Sequence, residues 1–590
     1  MNKQWSVVSG QWSVSSDQSS LGFPVAGPVP DVMGRPRERI TLSLIPHPSS
    51  LLRVALVWLA LAWCGAQAGG EALAFGGEKQ QARAAKAVRA GEFEIAEHIY
   101  REMIAKDPRD LAARLGLSFT LLKQRKMQDA FDAAARVVSV EPTSARGHAL
   151  MGAALLGIGE FALSIEEFKT ALAFKDDEAL AIAGLAMISF HENRPSVALN
   201  GLRRAMNIEP DEPDYVFNFA KAASRSERYR EAADAYEHFL RIAPRTDADR
   251  RAYIRGLIDF LRYLGAQREL YEAAGSARVE IPFDVVNNRP IVNVRLNGAK
   301  DPMRFVLETG SGMCVLSEAA AKRIGVKSVA RGGTARAVGG AGRFDIIYGF
   351  LSSIHLGEAR VENVPIYIRH FHSTQEPVDG YIGLSVLSKY LATIDYGTRQ
   401  LIIDREPPRP AAALTHNPNA DPSAAASPDT AIEIPIRTTA NGIWCGLVGL
   451  DGVEKPQNFI IDTGATITVV SQSLSARETL ERFEQKVRLK VYGAAGVAEN
   501  VPMLVLPHLA VGDYKHRNLS AAVLDMEAIN ETSGFEQTGI LGGNVLRFFR
   551  ITFDFTRGVL RLEPIPQSQV SPPPATGSES VAPVSTGLRF

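Results

Sequence analysis

Cysteine is scarce in this sequence, 3 residues in 590. A chain so long and so poor in cysteine is held by apolar cores and not by a disulfide framework. None of the three sits in a CxxC pair or beside a histidine, so zinc and thiol-redox motifs are missing. Net charge is missing too: Lys and Arg number 65, Asp and Glu 65. Without a basic tract there is no phosphate-neutralising surface, which excludes nucleic acid as a partner. The 11 histidines form no HExxH, and the pair His370 and His372 alternates as a strand does, a structural pattern. No nucleotide-binding loop or haem motif occurs, so neither metal nor cofactor is expected. The N-terminal apolar run, Val54 to Cys64, stops well short of the ~20 residues of a membrane-spanning helix.

What surrounds that run is informative. Arg35, Arg37, Arg39 and Arg53 precede it and Ala66–Gln67–Ala68 follows, the three parts of a cleaved secretory signal over 33–68. The expected location is therefore periplasmic or secreted. Trp63 stands where a lipid-attachment site needs a small residue and argues against an anchor at Cys64. Residues 1–32, with QWSV at Gln4–Val7 and again at Gln11–Val14, resemble neither a signal nor a domain and point to Met33 as the start. Beyond the signal only Cys314 and Cys445 remain, read as buried thiols.

At this length the chain exceeds a single core, and three or four domains are expected. Residues 78–275 are rich in Ala, Leu, Glu and Arg, and they repeat. Pro108, Pro142, Pro210 and Pro244 fall on a 34-residue lattice, with Asp176 in the slot lacking proline. Twelve residues before each lies Ala96, Ala130, Ser164, Ala198 or Ala232, and twelve before those Ala84, Ser118, Gly152, Ala186 or Ala220. Small side chains are needed where antiparallel helices touch, and proline stops the second helix of a pair. The pattern resembles the tetratricopeptide repeat over five units, with Tyr100, Phe168 and Tyr236 in its aromatic slot and Arg250–Gly265 as the cap. That resemblance implies an all-α solenoid with a concave surface for a protein or peptide partner.

From 280 the texture changes to short alternating runs of Val, Ile and Phe separated by Gly and Asn, the pattern of an all-β region. FVLETGSGMCVLS (Phe305–Ser317) returns as FIIDTGATITVVS (Phe459–Ser471). The offset that carries Glu308 onto Asp462 also carries Gly339 onto Gly493 and Gly342 onto Gly496, so 280–405 and 431–565 are a tandem duplication. A Pro/Ala/Ser-rich linker, 406–430, separates the copies, and 566–590 reads as a disordered tail.

The order of elements in each copy resembles the retropepsin-like aspartic peptidases, the fold of retroviral proteases and of each pepsin lobe. DTGA (Asp462–Ala465) matches their active-site loop, YGAAG (Tyr492–Gly496) the flap, and Ile540, Leu541 and Gly542 the apolar-apolar-Gly motif. In the first copy the matches are ETGSG from Glu308, VGGAG (Val338–Gly342), and Tyr381, Ile382 and Gly383.

The resemblance implies two acid-protease barrels in which Asp462 and Glu308 activate a water against a peptide bond. Thr463 and Thr309 would tie the loops together, Gly464 and Gly310 would admit the backbone close to the carboxylates, and Ser311 would bond Glu308. The flap glycines are Gly493, Gly496, Gly339 and Gly342. Glutamate at 308 adds a methylene, about 1.5 Å, to one arm of the pair. Two functional expectations follow: an exported aspartic peptidase acting on protein or peptide substrate, or an inactive peptide-binding scaffold on a degenerate protease fold. Pairing of Asp462 with its copy in a homodimer is a further alternative.

Overall fold

The computed structural model describes residues 77–340, 342–372, 377–405, 431–493, 495–566 and 584–585. The N-terminal extension, the signal with Cys64, the linker and nearly all of the tail lie outside the described residues.

A helix over 77–90 pairs with Phe93–Lys106, and four further pairs follow: Leu111–Lys123 with Met127–Val138, Ala145–Ile158 with Phe161–Phe174, Ala179–His191 with Pro195–Ile208, and Pro213–Arg225 with Tyr229–Ile242. A longer helix, Ala248–Gly265, closes the series. The lattice positions explain the packing. Ala84, Ala96, Ala130, Ala198, Ala220 and Ala232 are fully buried. At Gly152 a Cβ would fall 2.7 Å from the Phe168 ring. The two lattice serines are also bonded, Ser118 Oγ to the Ala130 carbonyl and Ser164 Oγ to the Gly152 carbonyl, both at 2.7 Å. In the slot that lacks proline the helix still ends at Phe174.

Two β lobes follow. In the first, Phe305–Leu307 pairs in parallel with Gly380–Ile382. In the second, Phe459–Ile461 pairs in parallel with Gly539–Leu541. A six-stranded sheet joins the lobes, with Leu391–Asp395 of the first running antiparallel to the Phe549–Asp554 strand of the second. At its centre Thr393 and Thr552 meet hydroxyl to hydroxyl at 2.8 Å. Ile394, Leu401, Ile551, Phe553 and Leu560 from both lobes share one apolar core, so the lobes are bound together within a single chain.

The solenoid is fused to both lobes by contacts that sequence periodicity does not announce. Its last helix packs on the first flap hairpin (Ser328–Arg336 with Arg343–Leu356): a Cβ at Gly256 would lie 2.0 Å from the Arg331 carbonyl oxygen, Phe260 stacks on Tyr348 at 4.3 Å, and Arg343 pairs with Asp249 at 2.8 Å. The inner helices meet the second lobe. Glu536 donates its amide to the Gly157 carbonyl at 2.8 Å, and Phe161, His191 and Phe535 form an edge-on aromatic cluster.

The first helices of the pairs line the inside of the curve, because Lys123 reaches across three repeats to Glu212 and to Asp214, the latter at 2.7 Å. The expected free concave surface is therefore partly filled. At Gly157, His191, Lys221 and Arg225 it holds the chain's own second lobe.

His191 is the titratable group in this joint. It is 1% exposed, and its Nδ1–H donates to the Thr438 carbonyl at 2.7 Å. Burial, reinforced by the charges of Lys221, Arg225 and Arg437, outweighs that bond and pushes its pKa down to about 4. The folded state thus prefers the neutral ring, so its stability is complete above the ordinary histidine value near 6.5 and falls as pH drops from there toward 4, by on the order of 3 kcal/mol. The expected outcome is a steeper loss of thermal stability between pH 6.5 and 4 for the native protein than for His191→Gln. Parallel curves would contradict this role.

Candidate active site

Each acidic loop is placed by the strand beside it. The Glu308 amide donates to the Ile382 carbonyl at 2.9 Å and the Asp462 amide to the Leu541 carbonyl at 3.0 Å. The apolar-apolar-Gly strands therefore hold the acidic residues at their backbones. The glycines that end them have no room for a side chain: a Cβ at Gly383 would meet the Met313 carbonyl at 2.6 Å, and one at Gly542 the Ile467 backbone at 2.5 Å.

The two loops cross at the lobe interface. Thr309 Oγ1 donates to the Ile461 carbonyl at 2.8 Å and accepts the Thr463 amide at 3.0 Å. Thr463 Oγ1 donates to the Leu307 carbonyl at 2.7 Å and accepts the Thr309 amide at 3.3 Å. Each hydroxyl is donor and acceptor at once, so neither loop can shift without breaking two buried bonds. Gly310 and Gly464 complete the exchange. A Cβ at Gly310 would lie 2.4 Å from the Asp462 carboxyl carbon, and one at Gly464 would lie 2.0 Å from Glu308 Oε2. Asp462 Oδ1 accepts two amide N–H bonds, from Gly464 at 2.8 Å and Gly310 at 3.2 Å. Both carboxylates are fully buried. Within this chain, Asp462 therefore lies against Gly310 of the first loop and Glu308 against Gly464 of the second.

One supporting residue differs from its expected place: Ser311 Oγ donates to the Met313 carbonyl at 2.7 Å, closing its own loop, instead of bonding Glu308. Cys314 and Cys445 are free, buried thiols, each pushed up to about 12 chiefly by burial. Cys314 Sγ accepts the Gly383 amide at 3.3 Å, which adds a tie to the first acidic loop.

The flap tips meet each other. A Cβ at Gly493 would fall 2.2 Å from the Gly339 carbonyl oxygen, and one at Gly342 2.5 Å from that of Ala495. Gly339 takes the left-handed conformation at φ +80°, which turns the first tip toward the second. Val338 is buried in the same apolar cluster as Ala465, directly after the DTG. Gly496, at φ +125°, ends the second tip.

Sequence reasoning missed the turns that brace the loops from outside. Asn288 Nδ2 donates to the Thr466 carbonyl at 3.0 Å, and a Cβ at Gly312 would lie 2.5 Å from the Asn441 carbonyl oxygen. The only signal was a pair of turn residues at one offset, Asn287–Asn288 and Asn441–Gly442. Asn544 was missed as well: its Oδ1 accepts both the amide and the hydroxyl of Thr468 at 2.8 Å.

Comparison with known proteins agrees with this architecture. An aspartyl protease model matches residues 292–386 and again 448–545, and a tetratricopeptide repeat model matches 87–154. No curated protein matches the chain. Among solved structures, an aspartic proteinase from Irpex lacteus is 14% identical, covering 50% of this chain and 100% of that one at a TM-score of 0.33. A thermophilic TPR protein of Thermus thermophilus is 18% identical over 32% of this chain and 99% of that one, TM-score 0.27. A pilF protein of Pseudomonas aeruginosa is 13% identical over 32% and 85%, TM-score 0.24. The class is a repeat solenoid joined to an acid-protease fold. This chain carries tetratricopeptide repeats followed by two aspartyl-protease-type segments.

The threonine exchange makes a quantitative prediction. Thr309→Val leaves the Thr463 amide and the Ile461 carbonyl buried without their partner, at a cost of about 2–4 kcal/mol. Denaturant unfolding should show a drop of that size; a change under about 0.5 kcal/mol would contradict the exchange.

Proposed function

We propose that the protein is an exported aspartic-type peptidase with one active site, formed between its lobes by Glu308 and Asp462. The observation that carries this reading is the reciprocal threonine exchange, which holds two buried carboxyl groups against opposite glycines beneath two meeting flap tips. Two like charges so close cannot both ionise, and the pair keeps one proton between them. Asp462, whose Oδ1 takes two amide N–H bonds, suits the ionised role, because a bare carboxylate oxygen accepts such a pair. It removes a proton from water as the oxygen attacks the scissile carbonyl carbon. Glu308, protonated, donates to the carbonyl oxygen. The gem-diol intermediate then collapses: Asp462 passes its proton to the departing amine while Glu308 takes one back from the gem-diol hydroxyl as the carbonyl re-forms, which restores the pair with its one proton. No metal is needed for these steps.

The substrate in this reading is an extended polypeptide drawn under the flaps, and export rests on the signal-like segment 33–68. The extra methylene of Glu308 favours a second reading, a peptide-binding protein whose lobes hold an extended chain without cutting it. A displacement of about 1 Å can cost on the order of 100-fold in rate, so the assay decides between the two.

Cleavage of an unfolded protein substrate, followed from pH 3 to 8, is expected for the native chain and lost by on the order of 1,000-fold or more in Asp462→Asn. Undiminished cleavage by the variant would refute the assignment. Absence of cleavage by a folded native chain that still binds peptide would establish the second reading.

A further inference from the structure

The two bracing turns are related by the duplication, yet they are held by different parts of the molecule. Asn288 and Gly442 occupy corresponding positions, both left-handed, at φ +64° and +82°. The Asn288 side chain is met by Arg547 of the second lobe, whose Nη1 donates to Oδ1 at 3.0 Å. The residue corresponding to Arg547 in the first lobe is Ser388, which is too short to reach and bonds the Ser385 carbonyl in its own turn at 3.4 Å. An arginine nonetheless stands at Gly442, and it comes from the solenoid. Arg225 Nη1 lies 3.0 Å from where a Gly442 Cβ would be, Nη2 donates to Asn193 Oδ1 at 2.9 Å, and the guanidinium rests over the Phe190 ring at 5.3 Å. Glycine at 442 makes the space that the guanidinium fills.

We propose that Arg225 is a positioning residue for the Glu308 loop, supplied by the repeat solenoid in place of the arginine that the first lobe lacks. The route is short. Arg225 packs on the Asn441–Gly442 turn, and the Asn441 carbonyl abuts Gly312. Gly312 in turn accepts the Ser385 amide at 2.9 Å and lies two residues from Gly310, whose amide bonds Asp462. The turn is pinned on its other side by Asn441 Nδ2 to Thr532 Oγ1 at 3.0 Å and by the Ala440 amide to the Ser533 carbonyl at 2.7 Å. With Arg225 removed, one side of this turn faces a gap, and the outer part of the first loop, around Gly312, gains freedom while the corresponding part of the second, braced by Arg547, does not. The repeats are then part of the framework of the acidic loops and not a detachable recruiting module.

Amide hydrogen exchange on the full chain tests this without assuming any activity. Arg225→Ala should speed exchange of 311–314, beyond the residues shared in the threonine exchange, by about tenfold and leave 465–468 unchanged, whereas Arg547→Ala should do the reverse. Asn193→Ala, which frees Nη2, should produce a weaker version of the Arg225→Ala pattern. Unaltered exchange over 311–314 in Arg225→Ala, or loosening spread evenly over the chain, would overturn the proposal. Where the peptidase reading holds, Arg225→Ala also lowers kcat with little change in KM; that last readout alone rests on the reading.

Discussion

Thr309 and Thr463 each give a hydroxyl proton to a backbone carbonyl of the opposite lobe and take an amide proton back from it. The site depends on this exchange, because it locks the two acidic loops to each other in both directions, and it does so where both are buried. Buried backbone groups left unpaired are costly, so the exchange fixes the approach of the lobes to within a hydrogen-bond length. The glycines that follow are a consequence: with the loops this close, Gly310 and Gly464 lie against carboxylates and no side chain fits. The interlobe sheet and its shared core supply the stability that lets such a constrained crossing persist.

Around this crossing the molecule is asymmetric despite its duplication. The first copy has Glu308 where the second has Asp462, and Ser311 bonds within its own loop where the second copy has Ala465. The first flap is backed by the cap helix of the solenoid through a backbone-to-backbone contact at Gly256 and the Phe260–Tyr348 stack. In the second flap hairpin the strand Glu484–Gly493 is largely exposed over its first residues. The repeats thus reach both ends of the site's framework, the first flap and the turn beside the Glu308 loop. A solenoid normally offers its inner face to another molecule; here part of that face is spent on the chain's own second lobe.

Much of this architecture was legible in the sequence, because its signals are local. A 34-residue lattice of small residues and prolines reports contacts between neighbouring helices, and the repeated strand, acidic loop and glycine pattern reports a fold that packs the same way twice. The joint between solenoid and lobes was not legible. His191 meets Thr438 and Arg225 meets Gly442 across more than 200 residues, and no period or motif marks either partner. Ser311 was misplaced for a related reason: a hydroxyl in a tight loop has several acceptors within reach, and the nearby Met313 carbonyl is its partner here.

The central claim is that Glu308 and Asp462 form one pair within one chain. Mixing Glu308→Gln chains with Asp462→Asn chains and assaying cleavage tests it most directly. The account predicts that each variant alone is inactive and that the mixture stays inactive, since no chain holds both carboxyl groups. Full activity of Glu308→Gln by itself, dependent on protein concentration, would contradict it and place two Asp462 residues from separate chains at the active site.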